Sequence, residues 1–292
     1  MRAPRDDEQG MILINVLMFV AIASGLVLLL ITREELALDR GLRMREAARA
    51  LAVARGGELS AEVALRRDLE QAPGQDHARE PWAELSERGA AIEGGTFDLA
   101  IADAEGRFNV NSLRSGEAGA LVLFQTMARE VGIDDKDIEA IIAFVRLKGP
   151  VTDLRPLRLL GLDPVVLARI EPLVTALPGN TSVNLNAADE AMLAILFRDP
   201  AVARRLAALR ARQGFLTAKD LTDANVTIPW GTSFRSTTFW VRTRATIGGT
   251  SQQLATLIRR GFDGDGRPLA LPVARWRNAA IPREAPDYPA KR

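Results

Sequence analysis

Residues 11–31, MILINVLMFVAIASGLVLLLI, set the plan of this chain, because these 21 residues carry no formal charge. At a rise of about 1.5 Å per residue, a helix of this length crosses the roughly 30 Å hydrocarbon core of a bilayer. The apolar region of a cleaved secretory signal is about 7 to 15 residues long and is followed by small residues. Here Thr32-Arg33-Glu34-Glu35 follow the run. The run therefore predicts a transmembrane segment.

A short charged leader, residues 1–10, precedes the apolar run and ends in Gly10, and the run begins at once with Met11. This arrangement resembles the leader of type IV pilins and pseudopilins. In that family a membrane-embedded prepilin peptidase cuts after a glycine on the cytoplasmic side and methylates the new amino terminus. The resemblance implies cleavage between Gly10 and Met11. The residues alone leave open a plain, uncleaved single-pass anchor.

The fifth residue after Gly10 departs from the pilin pattern. Pilins usually carry Glu there, and in this chain the position is Asn15. The resemblance assigns that carboxylate a role in neutralising the amino terminus of the subunit ahead. A subunit without it suits the end of a filament, where no subunit lies ahead.

Composition indicates a folded protein with no strong electrostatic bias. The 292 residues are 47% hydrophobic and 26% charged, with a formal net charge of +1 and no Cys. This length accommodates one membrane helix and one large or two small domains. The charge balance does not favour a nucleic-acid binder, and disulfides are excluded. Arginines after the run outnumber those before it, so the positive-inside rule alone would leave the large domain in the cytoplasm. The leader resemblance places it in the periplasm.

Good helix formers continue beyond the apolar run, and no Pro occurs between Met11 and Ala72. We expect one long helix that extends to Arg55, with a possible bend at Gly41 and an interruption at Gly56-Gly57.

The remaining pattern predicts a small sheet interrupted by helices. Residues 95–102 alternate with period two and predict a strand, for which residues 107–113 would be the hairpin partner. Residues 237–247 and 253–258 predict a second hairpin that completes the sheet. His77, the only His, lies in a polar loop and is expected to face solvent rather than a metal.

Three segments between the strands look alike, and each contains an apolar helix, a short hairpin with Asp, and a second helix. The aspartates Asp134, Asp163 and Asp199 are placed as N-caps, and Pro164 and Pro200 occupy the favoured first helical position. We interpret these segments as helix–hairpin–helix-like units.

Val183-Asn184-Leu185-Asn186, followed by Gly214-Phe215 and Asp220-Leu221, resembles a module found in two families. One is the membrane-anchored DNA receptor of competence systems, and the other is the K-type minor pseudopilin of type II secretion. DNA-binding hairpins use paired glycines that let backbone N–H groups approach phosphate, and the hairpins here lack them. Four arginines could still form a phosphate-contacting stripe, although a solvated face or protein interface is favoured: Arg204, Arg205, Arg210 and Arg212.

The order of motifs along the chain resembles the K-type minor pseudopilin over nearly the whole length. The residues that carry this resemblance are the leader junction, the variant fifth position and two asparagine motifs: Gly10, Met11, Asn15, Phe108, Asn109, Asn111, Val183, Asn184 and Asn186. The implied fold class is α+β, with a long N-terminal helix packed on a small antiparallel sheet and a large inserted all-α domain. The expected divisions are residues 1–10 (leader), 11–31 (transmembrane), 32–112 (pseudopilin helix and first strands), 113–234 (inserted helical domain), 235–262 (closing strands) and 263–292 (Pro-rich tail).

The resemblance implies a subunit that caps the periplasmic pseudopilus and helps to initiate its assembly for export of folded proteins. Expected partners are the I-type and J-type minor pseudopilins, the major pseudopilin and the prepilin peptidase, at the bacterial inner membrane and without nucleic acid. No catalytic constellation is visible, so no enzyme is expected.

Calcium is not expected either, and no other cofactor or metal is predicted. K-type relatives carry an acidic loop associated with calcium, whereas residues 144–150 of this chain are short and basic. The alternatives are the membrane-anchored DNA receptor and a module that binds secreted protein or peptidoglycan. The second alternative would require a concave site.

Overall fold

The computed structural model describes residues 6–72 and 74–290, with only the backbone of residues 6–10 and 12. Residues 1–5 of the expected leader and 291–292 of the expected tail lie outside the described residues. Helix α1 is unbroken from Asp6 to Gln71. The long helix is therefore confirmed, but the interruption expected at Gly56-Gly57 is wrong.

The element bounds follow the chain in order. The strands are β1 (Glu87–Ile92), β2 (Gly95–Asp103), β3 (Phe108–Asn109), β4 (Val174–Thr175), β5 (Val183–Asn184), β6 (Thr232–Ser233), β7 (Thr238–Ile247), β8 (Thr250–Phe262) and β9 (Pro268–Arg277). The α-helices after α1 are α2 (Pro81–Glu84), α3 (Ala118–Glu130), α4 (Asp135–Lys148), α5 (Pro164–Ile170), α6 (Glu190–Phe197), α7 (Pro200–Gln213) and α8 (Ala218–Asp223).

The main sheet has five strands in the order β1-β2-β7-β8-β9, and every neighbouring pair is antiparallel. The strand predicted at residues 95–102 and the β7–β8 hairpin are confirmed. The hairpin partner predicted at residues 107–113 is wrong, because β1 occupies that side of β2. Asn109 instead caps a 3-10 helix, Val110–Arg114, that carries the chain away from the sheet.

The expected Pro-rich tail contributes the fifth strand. β9 pairs with β8 from Phe262↔Pro268 to Leu254↔Arg277, with an irregularity between Leu257 and Ile258. Proline has no N–H to donate to the hydrogen bonds between strands, so it is tolerated at the start of a strand or on an edge strand. Pro268 is the first residue of β9, and Pro272 lies within this edge strand. Proline content alone was therefore a misleading sign of a tail.

One face of α1 packs on the sheet through small side chains. Ala50, Ala54 and Ala61 are fully buried there, and Leu65 follows one turn later. Gly57 lies on the same face, where an added Cβ would lie 2.4 Å from Phe97 Cζ. Glycine at this position therefore lets the helix approach the sheet closely, which is why the helix continues through it.

Helices α3 to α8 form a domain inserted between β2 and β7, around one large apolar cluster. The three predicted helix–hairpin–helix units are present, although a 3-10 helix, Arg155–Leu160, opens the second. The predicted N-caps are confirmed: Asp134 accepts from Asp137 N, Asp163 from Val165 N, and Asp199 from Ala201 N.

The insertion and the apolar end of α1 lie at opposite ends of the sheet. At one end Glu46 of α1 accepts a hydrogen bond of 2.8 Å from Thr250 Oγ1, beside the β7–β8 turn. At the other end Asp68 of α1 pairs with Arg260. Asp103 and Phe239, where the chain leaves for and returns from the insertion, are paired at this second end. The insertion is therefore attached far from the apolar part of α1.

Two adjacent glycines in α1 provide a matched test of this packing. We expect Gly57→Ala to lower the free energy of unfolding by about 1–3 kcal/mol, because its methyl group would displace Phe97. Gly56 has no neighbour within 4 Å of an added Cβ. We expect Gly56→Ala to raise the free energy of unfolding by about 0.5–1 kcal/mol, as in an exposed helix interior. Urea unfolding of the full chain in detergent measures both, and equal effects would contradict the close contact.

Candidate assembly interface

The N-terminal half of α1 presents apolar side chains that no other part of the described chain covers. Every residue from 13 to 40 is exposed. Within the described residues, α1 is the one helix long and apolar enough to cross a membrane, and its most apolar stretch has a mean hydropathy of 2.7. A surface of this size must be covered by lipid or by other apolar helices.

The expected cleavage junction and Asn15 lie on this exposed part of α1. Gly10 and Met11 are both helical, and Met11 is 66% exposed. Asn15 is exposed one turn further on, about 6 Å along the axis from Met11. A neutral amide can form hydrogen bonds but supplies no charge to oppose an ammonium group.

Below this exposed part, polar side chains attach α1 to the sheet. Glu58, which is 4% exposed, accepts from Thr256 Oγ1 at 2.6 Å and pairs with Arg275 of β9 at 2.5 Å. Together with the contact between Glu46 and Thr250, these bonds fix the rotation of α1 about its axis. The direction in which the exposed half leaves the domain follows from this attachment.

A buried guanidinium lies at the C-terminal end of α1. Arg260 of β8, 4% exposed, pairs with Asp68 and with Asp76 of the loop that follows α1, and its guanidinium stacks 4.5 Å above the ring of Phe239. Asp76 also accepts from Ser236 N at 2.6 Å, where the chain returns from the insertion. The cluster therefore ties α1, the sheet and the insertion together.

Asp68, Asp76 and Glu80 bring carboxylate oxygens within 4.8 Å of one another. Such a group could hold a cation, but Arg260 already binds two of its members. Glu80 accepts from His77 N and from Trp82 Nε1, each at 2.8 Å, and its burial raises its pKa to about 7. We therefore assign the group as an ion-pair network with its own cation.

His77 is half-buried, so the expectation that it faces solvent is wrong. Its ring stacks on Phe215 with 4.7 Å between centroids and an interplanar angle of 5°. Burial is the main cause that lowers its pKa below the ordinary value. This stacking joins the loop after α1 to the insertion.

The first asparagine motif, which follows Phe108, holds the first half of the insertion together. Asn109 Oδ1 accepts from Asn111 N and from Leu177 N, at 3.1 and 3.0 Å. Asn111 donates to Val151 O and accepts from Val151 N, at 2.8 and 2.9 Å. Phe108 is buried in the apolar cluster of the insertion and contacts Phe124. These residues are structural cross-links.

The second motif, which begins at Val183, repeats this chemistry. Asn184 Oδ1 accepts from Asn186 N at 2.9 Å. Asn186 donates to Leu216 O and accepts from Leu216 N, at 3.2 and 2.6 Å. Val183 is buried in the same cluster as Phe108. Each asparagine motif thus holds the backbone N–H and C=O of one distant residue, Val151 or Leu216, by two hydrogen bonds.

The two halves of the insertion share a common plan. In each, a two-residue strand with the asparagine motif pairs in parallel with a returning strand, β3 with β4 and β5 with β6. In each, the clamped residue follows a helical hairpin and a glycine with positive φ, Gly149 at 97° and Gly214 at 106°. The two halves of the insertion therefore repeat one structural plan, which the similarity of the three hairpin segments in the sequence did not indicate.

Two carboxylates, half-buried Asp103 and buried Glu105, lie in the neck through which the insertion joins the sheet. Asp103 accepts from Asn184 Nδ2 and Ser236 Oγ, both at 2.7 Å. Glu105, which is 2% exposed, accepts from Thr237 N and Oγ1. Burial raises the pKa of both groups, that of Glu105 to about 7. The sequence pattern did not single out either residue. The signal that could have identified them is a pair of acidic residues at the end of an apolar strand.

The four arginines that could form a stripe on α7 differ in their contacts. Arg210 donates to Leu185 O and Ala188 O, at 2.7 and 2.6 Å, so it supports the second asparagine motif. Arg205 donates to Ala224 O at 3.1 Å. Arg204 and Arg212 are exposed. Two of the four arginines thus bond to backbone carbonyls within the insertion.

Comparison with known proteins agrees with this architecture. No family model matches the chain. The chain is 28% identical to the type II secretion system protein K of Pseudomonas aeruginosa strain PAO1, in an alignment that covers 91% of this chain and 93% of the relative. A chain in the crystal structure of the GspK–GspI–GspJ complex from the enterotoxigenic Escherichia coli type 2 secretion system superimposes with a TM-score of 0.63. That match has 18% identity and covers 82% of this chain and 99% of the other.

The sequence comparison confirms the resemblance to K-type minor pseudopilins, and the structural match confirms the fold class. Neither comparison supports the DNA-receptor alternative.

The neck makes stability depend on pH. The pKa of Glu105, about 7, is raised above the ordinary value of 4.5, so the folded chain binds the proton more tightly than the unfolded chain. The stabilisation from protonation is present below about pH 4.5 and is lost as pH rises through about 7. We expect Glu105→Gln to reduce the fall in melting temperature of the full chain between pH 5 and pH 8. Glu93→Gln, at a side chain that is 95% exposed, is the control and should leave the profile unchanged; parallel profiles for wild type and Glu105→Gln would contradict the buried neck.

Proposed function

We propose that this chain, which has the sequence and fold of a K-type minor pseudopilin of type II secretion, caps the pseudopilus and helps to initiate its assembly. The observation that carries the proposal is the attachment of the insertion at the end of the sheet opposite the apolar half of α1. In a membrane-anchored chain, that end is the one far from the membrane.

The insertion is too large to be accommodated within a filament shaft. Pseudopilin subunits stack with their long helices in the core, so each subunit in the shaft needs free space above its sheet for the next subunit. Residues 104–237 of this chain occupy that space. A subunit with this shape fits only at the end of the filament that is assembled first.

Asn15 supports the same position. A subunit in the shaft needs an acidic group at this depth to pair with the amino terminus of the subunit ahead. The exposed amide of Asn15 carries no charge, and a terminal subunit has no neighbour on that side.

The structural neighbour belongs to a complex of GspK with GspI and GspJ. We propose that this chain assembles with the corresponding I-type and J-type minor pseudopilins through the exposed half of α1, and with the major pseudopilin below them. An apolar helix that leaves the membrane must exchange lipid for other apolar helices. Residues 13–40 provide an uncovered surface for this exchange.

The proposal includes the location and the absence of an enzymatic role. The leader would lie in the cytoplasm, α1 would cross the inner membrane, and the sheet with its insertion would lie in the periplasm. The chain would act as a structural subunit without a metal cofactor. The last turn of α4 supports the absence of a calcium site. There the side chain of Arg146 donates to Leu113 O, whereas calcium requires acidic groups.

Processing is tested by the intact mass of the full chain extracted from membranes after expression with a prepilin peptidase. We expect a mature form that begins at Met11, because the chain presents Gly10-Met11 at the start of its apolar helix. Gly10→Ala should abolish this form. An unprocessed wild-type chain would contradict the pilin-type export route and leave α1 as a plain anchor.

The tip position is tested by site-specific gold labelling, for which the absence of Cys is an advantage. Leu159 is 83% exposed on the insertion, and Leu159→Cys gives a single accessible thiol. We expect one gold particle at one end of each overproduced pseudopilus. The wild-type chain is the control for nonspecific label, and particles distributed along the shaft would contradict a capping role.

A further inference from the structure

The insertion contains a small cavity, lined in part by the aromatic side chains of Phe108 and Trp230, that the assembly function does not use. The cavity has a volume of about 200 Å³, and Trp230 lines it. Its polar lining residues come from the 3-10 helix Val110–Arg114, the start of α3, the loop before β5, and β6: Ser112, Glu117, Asn180, Thr181, Ser182 and Thr232.

Trp230 packs against α3 although it is 54% exposed. Its indole lies against the backbone of α3 at Gly119, where an added Cβ would lie 2.4 to 2.5 Å from the ring atoms Cε2, Cδ2 and Cζ2. Only glycine leaves room for the ring in this position. A half-exposed indole that packs on a helix backbone offers its open face as a contact surface.

The polar lining residues are also held in place, and one of them lacks a partner. Ser112 Oγ bonds to both the N–H and the carbonyl of Thr181, each at 3.3 Å, and Asn180 donates to Glu117 Oε1 at 3.1 Å. Among the described residues, Thr181 Oγ1 is buried and makes no hydrogen bond. That oxygen is closed to solvent, so the polar groups open to a ligand are the exposed side chains of Glu117 and Asn180.

We propose that this cavity binds a neutral pyranose ring of a glycan. A pyranose offers polarised C–H groups to the electron-rich face of an indole, and hydroxyl groups to amide, hydroxyl and carboxylate side chains around its edge. Glu117 is the one charged group among the described lining residues. This charge disfavours phosphate and other anions. The volume lies below the roughly 300–1,000 Å³ of pockets for drug-sized ligands, which suits a single ring.

The glycan could be a soluble oligosaccharide or the glycan strand of the cell wall. The periplasmic location proposed above would make both available. The binding site itself does not depend on the capping role, so the two proposals fail separately.

The test uses the full chain in detergent with two probes. Chitotetraose, a soluble chain of N-acetylglucosamine, is titrated by calorimetry, and purified peptidoglycan sacculi are tested by co-sedimentation. We expect saturable binding of chitotetraose if a soluble glycan suffices, and co-sedimentation alone if the longer wall strand is needed. Absence of both would overturn the proposal.

Three variants determine whether binding occurs at this cavity. We expect Trp230→Ala to weaken binding at least tenfold, Trp230→Phe to weaken it less, and Asn180→Ala to weaken it a few-fold by removing the exposed amide. Leu147→Ala, at an 82% exposed side chain outside the cavity, is the control and should bind like wild type. Melting temperatures verify that each variant is folded. Binding that Trp230→Ala and Asn180→Ala leave unchanged would overturn the assignment.

Discussion

The arrangement of α1, the sheet and the insertion depends on the buried ion pairs that Arg260 makes with Asp68 and Asp76. Arg260 lies on β8 and binds Asp68 at the end of α1 and Asp76 in the following loop, while Asp76 accepts from Ser236 where the insertion returns. A buried charge is tolerated only when it is paired, and removal of one partner typically costs about 3–5 kcal/mol. These charges must therefore meet in one geometry, and that geometry fixes the insertion relative to α1 and the sheet.

Because α1, the sheet and the insertion are fixed relative to one another, the exposed half of α1 can determine where the whole domain lies. The contacts at Glu46, Glu58 and Asp68 span the part of α1 that lies on the sheet, so the helix and the sheet move as one body. The apolar half leaves this body without any lateral support in the described chain. A neighbour that captures the apolar half therefore positions the whole domain, including the bulky insertion at the far end.

Local sequence patterns predicted the elements whose own chemistry is sufficient to form them. The apolar run, the alternation at residues 95–102 and the three aspartate N-caps belong to this group. The errors arose where a distant contact overrides the local preference. Gly57 remains helical because Phe97 requires the space above it, and the proline-containing β9 is a strand because β8 provides a free edge. His77 is half-buried because Phe215, far along the chain, stacks on it.

The candidate site shows the same limit. The exposed helix and the asparagine motifs could be located from the sequence, but the repeated plan could not, since the clamped residues lie 40 positions after Asn111 and only 30 after Asn186. The first half also contains a further hairpin around Asp163, which follows its clamped residue Val151 and has no counterpart in the second half. Two halves that share a clamp but differ in the segment between are free to differ at their surfaces without losing their cores. The half-exposed Trp230 and its cavity lie at such a surface, where α3 of the first half meets the strand β6 that closes the second.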